Sequence, residues 1–484
     1  MGGGAQLLMS LLLGIDEGTS AVKAILFDAD LRPLQEARRE KPLHHPRPGW
    51  VEQDPEDVVR AVTEAVAEVL ADAPGEVVAC GLDHQGESVL AWDGDTGEPL
   101  SPVIVWQDKR QTELLEELDE AAIKARSGLP IDPYFSSGKY AWLLRNGLEV
   151  TDSLRLGNVD AWLTDRLGAG FATDASTASR TQLHRLGERG WDPWLCETFG
   201  VPAGALPPIG DSVGALGTLR HERWPVDLPL TARVVDQQAA LAGAGCVVPG
   251  RVKATYGTGV FVLAHVGDEV PAAAGGLLPT IAWRVGGRNE YALDGGVFAA
   301  GEMLEWMCRE LGIAAEPAAL GELARGAESA DGVRILPGIT GVGAPWWRPD
   351  ARGTIAGLTA GTKRAQVARA ALEGIAWRVA DVVGAVRESV PVATLRVDGG
   401  LTNEPALLQM QADAIGVPVE QGLADATAAG AAALAAVGAG LLGSAADIAG
   451  LVPTTSHVEP QRDGDWRAAE HSAWKRFVQL SVEL

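Results

Sequence analysis

Cysteine is scarce in this chain: Cys80, Cys196, Cys246 and Cys308 are the only four in 484 residues, and none lies in a CxxC pair. That pattern offers neither a zinc cage nor a disulfide framework, and reads as reduced, mostly buried thiols in a cytoplasmic protein. Histidine is sparse too, eight residues without ligand spacing, so His84 near Glu87 is not read as a metal ligand. Basic residues are outnumbered: 40 Lys and Arg against 64 Asp and Glu give a formal net charge of −24. Such a balance leaves little to neutralise a nucleic-acid backbone or an anionic membrane, although backbone amides can still hold a small anion. No apolar run is long enough to span a bilayer, so no membrane insertion is expected. The run at Leu7–Leu13 has no Lys or Arg before it and no small-residue cleavage site after it. It is expected as a buried strand behind a disordered Met1–Gly4 lead. The sequence GxxxxGK[ST] is also missing, which disfavours a P-loop ATPase.

What is present points to an α/β protein of at least two domains, because 484 residues exceed one compact core. Leu11–Ile15 and Val22–Asp28 are apolar runs separated by the turn Asp16-Glu17-Gly18-Thr19-Ser20. Val252–Tyr256 and Val260–Ala264 repeat the arrangement around Gly257-Thr258-Gly259, about half the chain later. Two such hairpins imply a duplicated architecture, with the boundary near Ala242–Gly250, and could hold phosphates from both sides. The strands Val77–Leu82 and Pro102–Val105 deliver polar residues at their ends, where ligands of α/β sheets are met. These include Asp83, His84, Gln85 and Glu87 in one case, Trp106, Gln107 and Asp108 in the other. Asp236, at the head of Gln237-Gln238-Ala239-Ala240-Leu241, reads as a helix N-cap or as a base for a substrate hydroxyl.

Helices are expected from Pro55 to about Leu70, from Lys109 to Lys124, from Ala365 to Ser389 and from Ala406 to Ile415. The third carries Val367, Ala371, Ile375, Val379, Val382 and Val386 on one stripe. Thr173–Arg185 is polar and suited to lining a cleft. Ala426–Leu442 is nearly all Ala and Gly, and is expected to pack closely against another element.

Several segments together resemble the FGGY family of carbohydrate kinases, its glycerol kinase branch most closely. They are Gly14–Ser20, Pro48–Pro55, Ile104–Asp108, Asp132–Trp142, Asp236–Leu241, Thr255–Gly259, Thr340–Trp347 and Val397–Gly400. The resemblance implies an actin-like ATPase fold of two ribonuclease-H-like domains around a central cleft. Residues 1–245 would carry the substrate site and first phosphate loop, and residues 246–484 the nucleotide site. It implies ATP and Mg2+, and a polyol or sugar acceptor, with a homodimer left open. Asp236 matches the catalytic base. Glu87, Trp106, Tyr134, Asp236, Gln237 and Phe298 map to the polyol site. Thr19, Ser20, Lys23, Gly257, Thr258, Gly399 and Gly400 map to nucleotide positions. Asp16 maps to the metal, with Asp236 reaching it through water.

The chain departs from the glycerol kinase pattern at three places. Gly86 stands where arginine precedes the glutamate, which removes a guanidinium and is expected to open room for a larger acceptor. Glu17 replaces glutamine and Lys23 replaces arginine in the first loop. A glycine-rich regulatory loop is not evident between Gly217 and Val234. Two other readings stand beside phosphorylation of glycerol: a pentulose kinase, and an actin-like nucleotide switch that would lack a polar-aromatic pocket.

Overall fold

In the computed structural model, which describes residues 9–271 and 275–483, two hairpins set the architecture. Met9–Glu17 pairs antiparallel with Ala21–Phe27, and Arg251–Tyr256 with Val260–Gly267. Each hairpin is extended in the same way. A third antiparallel strand, Pro33–Glu40 in one half and Arg288–Val297 in the other, joins the second strand. Two parallel strands join on the side of the first: Gly75–His84 and Leu228–Val235, or Thr394–Asp398 and Val419–Gln421. The duplication expected from the two glycine-threonine turns is therefore a duplication of sheet topology. Both halves lie in one 13-stranded sheet, joined where Val213 meets Val285. The Met1–Gly4 lead and Leu7–Leu8 lie outside the described residues.

The expected helices follow their sequence signals. Pro55–Ala71 starts on proline, with Asp54 accepting from the Glu56 amide at 2.8 Å, and buries Val58, Val62, Val66 and Val69. Arg364–Val386 buries Ala371, Ile375, Val379, Val382 and Val386 against the second half's sheet. The single helix expected over Lys109–Lys124 is instead two, Thr112–Leu115 and Glu120–Ser127. Asp119 accepts from the Ala122 amide at 3.1 Å, so its side chain starts a new helix where the charge pattern alone suggested continuation.

Ala426–Gly438 packs as its composition requires. It lies across Met9–Glu17, Gly75–His84 and the helix Asp236–Gly243, all from the first half. A Cβ on Gly14 would stand 2.2 Å from the Ala428 carbonyl oxygen, and one on Gly81 2.0 Å from that of Ala431. Gly243 and Gly430 are equally tight, at 1.8 Å from the carbonyls of Ala426 and Ala239. Backbone rests on backbone at this joint, and only residues without a side chain fit the crossing.

Candidate active site

The parallel register of the first half sets the site. Asp16 lies opposite Asp83, Asp83 lies opposite Val234, and Asp236 follows one strand residue later. Three carboxyl groups thus crowd at the ends of adjacent strands. Burial raises the pKa of Asp236 to about 7, and the charges of Glu87 and Asp16 add to the effect. The Gln237 amide, which donates to Asp236 Oδ1 at 2.6 Å, and Lys253 oppose it. Burial likewise raises Asp83 well above the carboxylate range, reinforced by Asp16 and Asp236, and neither Asp83 oxygen has a hydrogen-bond partner among the described residues.

Between Val235 and Gln237, the neighbours of Asp236, lies a small cavity of about 10 Å³, walled in part by Glu87, Tyr134, Gln237, Arg180 and Asp294. Arg180 Nε donates to Glu87 Oε1 at 2.7 Å, and its Nη2 stands 3.1 Å from Asp294 Oδ2. Lys253 Nζ donates to Gln237 Oε1 at 2.7 Å and fixes that side chain. Trp106 and Tyr134 meet edge-on at 5.6 Å, and Tyr134 continues to Phe135 at 5.3 Å. The Tyr134 segment is held from behind by the buried Lys139, which donates to the carbonyls of Pro133, Tyr134 and Phe135 at 3.0, 2.6 and 3.1 Å. Arg110 supports the Trp106 loop from the other side. It stacks on Trp50 and Trp142 and is paired with Glu52 and Asp108, so three segments that carry the family resemblance converge on one guanidinium.

Phe298 sits differently from Trp106 and Tyr134. It is 39% exposed and edge-on to Trp347, which packs on the small cluster that also holds Tyr134. A second aromatic of the second half, Phe261, lies on the strand that contributes Leu263 to the cavity wall. It shares a face of Val260–Gly267 with Leu263, a cavity wall residue. Its cross-strand partner is Gly296, as Asp294 is the partner of Leu263. Val260–Ala264 is apolar at every position, so the sequence carried no signal that set Phe261 apart. Arg180 lay within the polar Thr173–Arg185 segment but carried no spacing that set it apart.

The two glycine-threonine turns lie at the tips of the paired hairpins, and the charges beside them have specific partners. Trp106 Nε1 donates to Thr19 Oγ1 at 2.9 Å, tying the first turn to the acceptor wall, and Ser20 is exposed. Lys23 is engaged across the halves with Asp425 at 2.5 Å, at the head of Ala426–Gly438. Glu17, unusual for the family, is buried and paired with buried Lys41, and it also accepts from Gln85 Nε2 at 3.0 Å. Lys41 answers a charge for which the sequence showed no partner. In the second turn, the Gly257 and Thr258 carbonyls accept from Ala300, Gly301 and Glu302 and start the helix Gly301–Arg309, leaving Thr258 exposed. Gly399 has φ 94°, and a Cβ there would stand 2.3 Å from the Tyr256 carbonyl oxygen, so the diglycine turn abuts the phosphate hairpin. Gly400 has open space around it.

Gly86 opens no room. A Cβ at this position would meet Val235 Cγ1 at 2.6 Å and Cγ2 at 2.9 Å, so a neighbouring valine fills the space a longer residue would need. His84, Asp160 and Asp174 do approach one another within 4.8 Å. Asp174 is nevertheless committed to the Ser176 and Thr177 amides and to the Thr177 and Ser212 hydroxyls, and His84 Nε2 to Thr177 Oγ1 at 2.8 Å. The cluster is a hydrogen-bonded brace under the strand ends. Asp16 and Asp83 form the better oxygen donor set for a hard divalent cation, because burial raises both carboxyls and the Asp83 oxygens have no partner among the described residues, and a cation would relieve both.

Duplicated ribonuclease-H-like halves, a glycine-threonine turn in each, and a half-buried carboxylate beside a polar-aromatic cavity define an actin-like, ATP-dependent small-molecule kinase. Residues 11–243 match the N-terminal domain of the FGGY family of carbohydrate kinases, and residues 252–439 match its C-terminal domain. The chain belongs to this family and is an ATP-dependent sugar or polyol kinase. It is 42% identical to a glycerol kinase of Alkalilimnicola ehrlichii over 97% of this chain and 99% of the relative. It is 39% identical to one of Citrifermentans bemidjiense, over 98% and 99%. Among solved structures, glycerol kinase of Plasmodium falciparum with ADP superposes with a TM-score of 0.92 at 29% identity, over 98% of both chains. A xyloylose kinase from Brucella ovis superposes with a TM-score of 0.89 at 26% identity, over 97% and 98%.

Proposed function

We propose that this chain transfers the terminal phosphoryl group of ATP to a hydroxyl of glycerol, giving glycerol 3-phosphate and ADP. The observation that carries the reading is Asp236, a base with a pKa of about 7 beside a cavity whose walls alternate carboxylate, amide and aromatic groups. A polyol needs hydrogen bonds for its hydroxyls and a flat apolar wall for its carbons. Glu87 and Gln237 supply the first, and Trp106, Tyr134 and Phe261 the second. Asp236 takes the proton of the attacking hydroxyl as its oxygen bonds to the γ-phosphorus, while the bond from that phosphorus to the β–γ bridging oxygen breaks. The Gly18–Ser20 and Gly257–Gly259 turns hold the phosphates from the two halves, and Gly399 lets the nucleotide lie close to the backbone. Asp16 and Asp83 would hold magnesium, which when bound neutralises phosphate charge. Four unpaired cysteines fit a reducing, cytoplasmic setting.

A pentulose kinase is the rival reading, favoured by the likeness to the Brucella ovis structure. An assay coupling ADP formation to NADH oxidation, run on glycerol, erythritol, ribitol, xylitol, D- and L-xylulose, ribulose and gluconate, separates the two. Preferred turnover of glycerol supports the proposal. Preferred turnover of a ketose replaces it. ATP binding without turnover of any acceptor would favour a nucleotide switch.

A further inference from the structure

Resting on the polyol reading above, we infer that Arg180 is the residue that selects the acceptor, with Nη1 donating to a non-reacting hydroxyl that in turn donates to Gln238 Oε1. Arg180 is 3% exposed, and its guanidinium is anchored at two of its three nitrogens, by Glu87 from the first half and Asp294 from the second. The rings of Tyr134 and Phe135 flank it at 5.7 and 5.5 Å. Such a side chain cannot turn away to find another partner. Yet Nη1 is buried and has no acceptor among the described residues.

Gln238 presents the complement. It is 2% exposed, and its Nε2 is 3.2 Å from Thr280 Oγ1, while its Oε1 is buried without a donor among the described residues. Both residues wall the same cavity beside Asp236. A buried donor and a buried acceptor, each left open where nearly all such atoms are satisfied, match a hydroxyl, which accepts one hydrogen bond and donates another. Arg180 is the one cation in the described cavity wall. Lys253 is spent on Gln237, and Val235 occupies the space through which a side chain at position 86 would enter. The donor for the acceptor's second hydroxyl therefore comes from the segment after Ala175–Ala178, held in place by both halves of the molecule.

The test compares glycerol with propane-1,2-diol and propane-1,3-diol, each of which keeps a primary hydroxyl to phosphorylate but lacks one other. kcat/KM is measured for the wild type, Arg180→Lys and Gln238→Ala, with Tm and the KM for ATP as controls. The wild type is expected to prefer glycerol over one diol by on the order of 10²-fold or more, because a site built to bond a hydroxyl rejects its absence. In Arg180→Lys that preference should fall to within about tenfold, the glycerol rate dropping far more than the diol rate. Gln238→Ala should reduce the same preference, and it decides the matter if Arg180→Lys fails to fold. Equal losses on glycerol and both diols would overturn the inference and leave the glycerol reading intact. Absence of wild-type turnover on glycerol, with a ketose accepted instead, would overturn both.

Discussion

Gly86 and Val235 should behave as one coupled position. The backbones that carry them have little freedom to separate. The Gly86 carbonyl accepts from Asn158 Nδ2 at 2.7 Å, and the Val235 amide donates to Ser176 Oγ at 3.1 Å. A methyl group added at position 86 would lie 2.6 Å from Val235 Cγ1, about 0.9–1.4 Å inside the usual carbon contact of about 3.5–4.0 Å. Gly86→Ala is therefore expected to destabilise the chain by about 1–3 kcal/mol through overpacking. Val235→Ala removes two buried methyl groups and should cost about 1.5–3 kcal/mol. In the double variant the methyl at position 86 faces only the Cβ of residue 235, 3.3 Å away in the wild type, and part of the void is refilled. The pair should fall short of the summed losses by about 1–3 kcal/mol. Urea and thermal midpoints of the four proteins, taken under one set of conditions because a two-domain chain need not unfold in one step, give the comparison. Additive midpoints, or a Gly86→Ala protein as stable as the wild type, would refute the argument. By the same reasoning Gly86→Arg should lose stability before it reports anything about acceptor choice, unless Val235 is reduced with it.

Other outcomes follow from the site's charges and from the joint. Asp236→Asn should lower kcat by about 10²–10⁴-fold while retaining ATP binding, checked by ADP release and by nucleotide titration. The base must be ionised to accept a proton, so with its pKa near 7 the wild-type kcat/KM for the acceptor should fall about tenfold per pH unit below that point, in a pH–rate profile. Lys41→Met leaves Glu17 buried and unpaired and should cost about 3–5 kcal/mol, whereas Lys41→Met with Glu17→Gln should recover most of it, read from the same midpoints. Gly430→Ala would drive a methyl to 1.8 Å from the Ala239 carbonyl oxygen and should destabilise the protein more than Gly384→Ala, at a helical glycine with nothing within 4 Å.

Much of the fold was legible because it depends on local chemistry. The two glycine-threonine hairpins, the apolar strands ending on Asp83 and Asp236, and the valine-alanine stripe of Arg364–Val386 each announce themselves within a few residues. The tight seat of Ala426–Gly438 was legible too, since a helix without side-chain bulk has few other uses. Three features were not. Lys41 and Glu17 are 24 residues apart, and no local rule pairs a lysine in a loop with a glutamate in a strand. Arg180 gains its significance from Glu87 and Asp294, which come to it from opposite halves of the sheet. The consequence of Gly86 was read as an opening because the sequence lists what a glycine lacks, whereas the fold decides which neighbour enters the space.

Net charge is a poor guide to how such a chain treats an anionic nucleotide. The formal charge of −24 is spread over the surface, while the cleft is governed by which carboxylates retain a free charge. Glu87 and Asp294 are both spent on Arg180, and Glu17 on Lys41. Asp425 is spent on Lys23. Those four pairings leave Asp16, Asp83 and Asp236 as carboxyls without a cationic partner among the described residues, all three with raised affinities for protons. A group that holds a proton more tightly than usual also repels an incoming phosphate less than a fixed anion would. The same crowding makes Asp236 a stronger base than an exposed aspartate once it is ionised. Lys253, buried beside it and bonded to Gln237, limits how far the pKa can climb. Burial at the strand ends, with the charges of Glu87 and Asp16 added to it, thus sets the basicity of the residue that takes the hydroxyl proton.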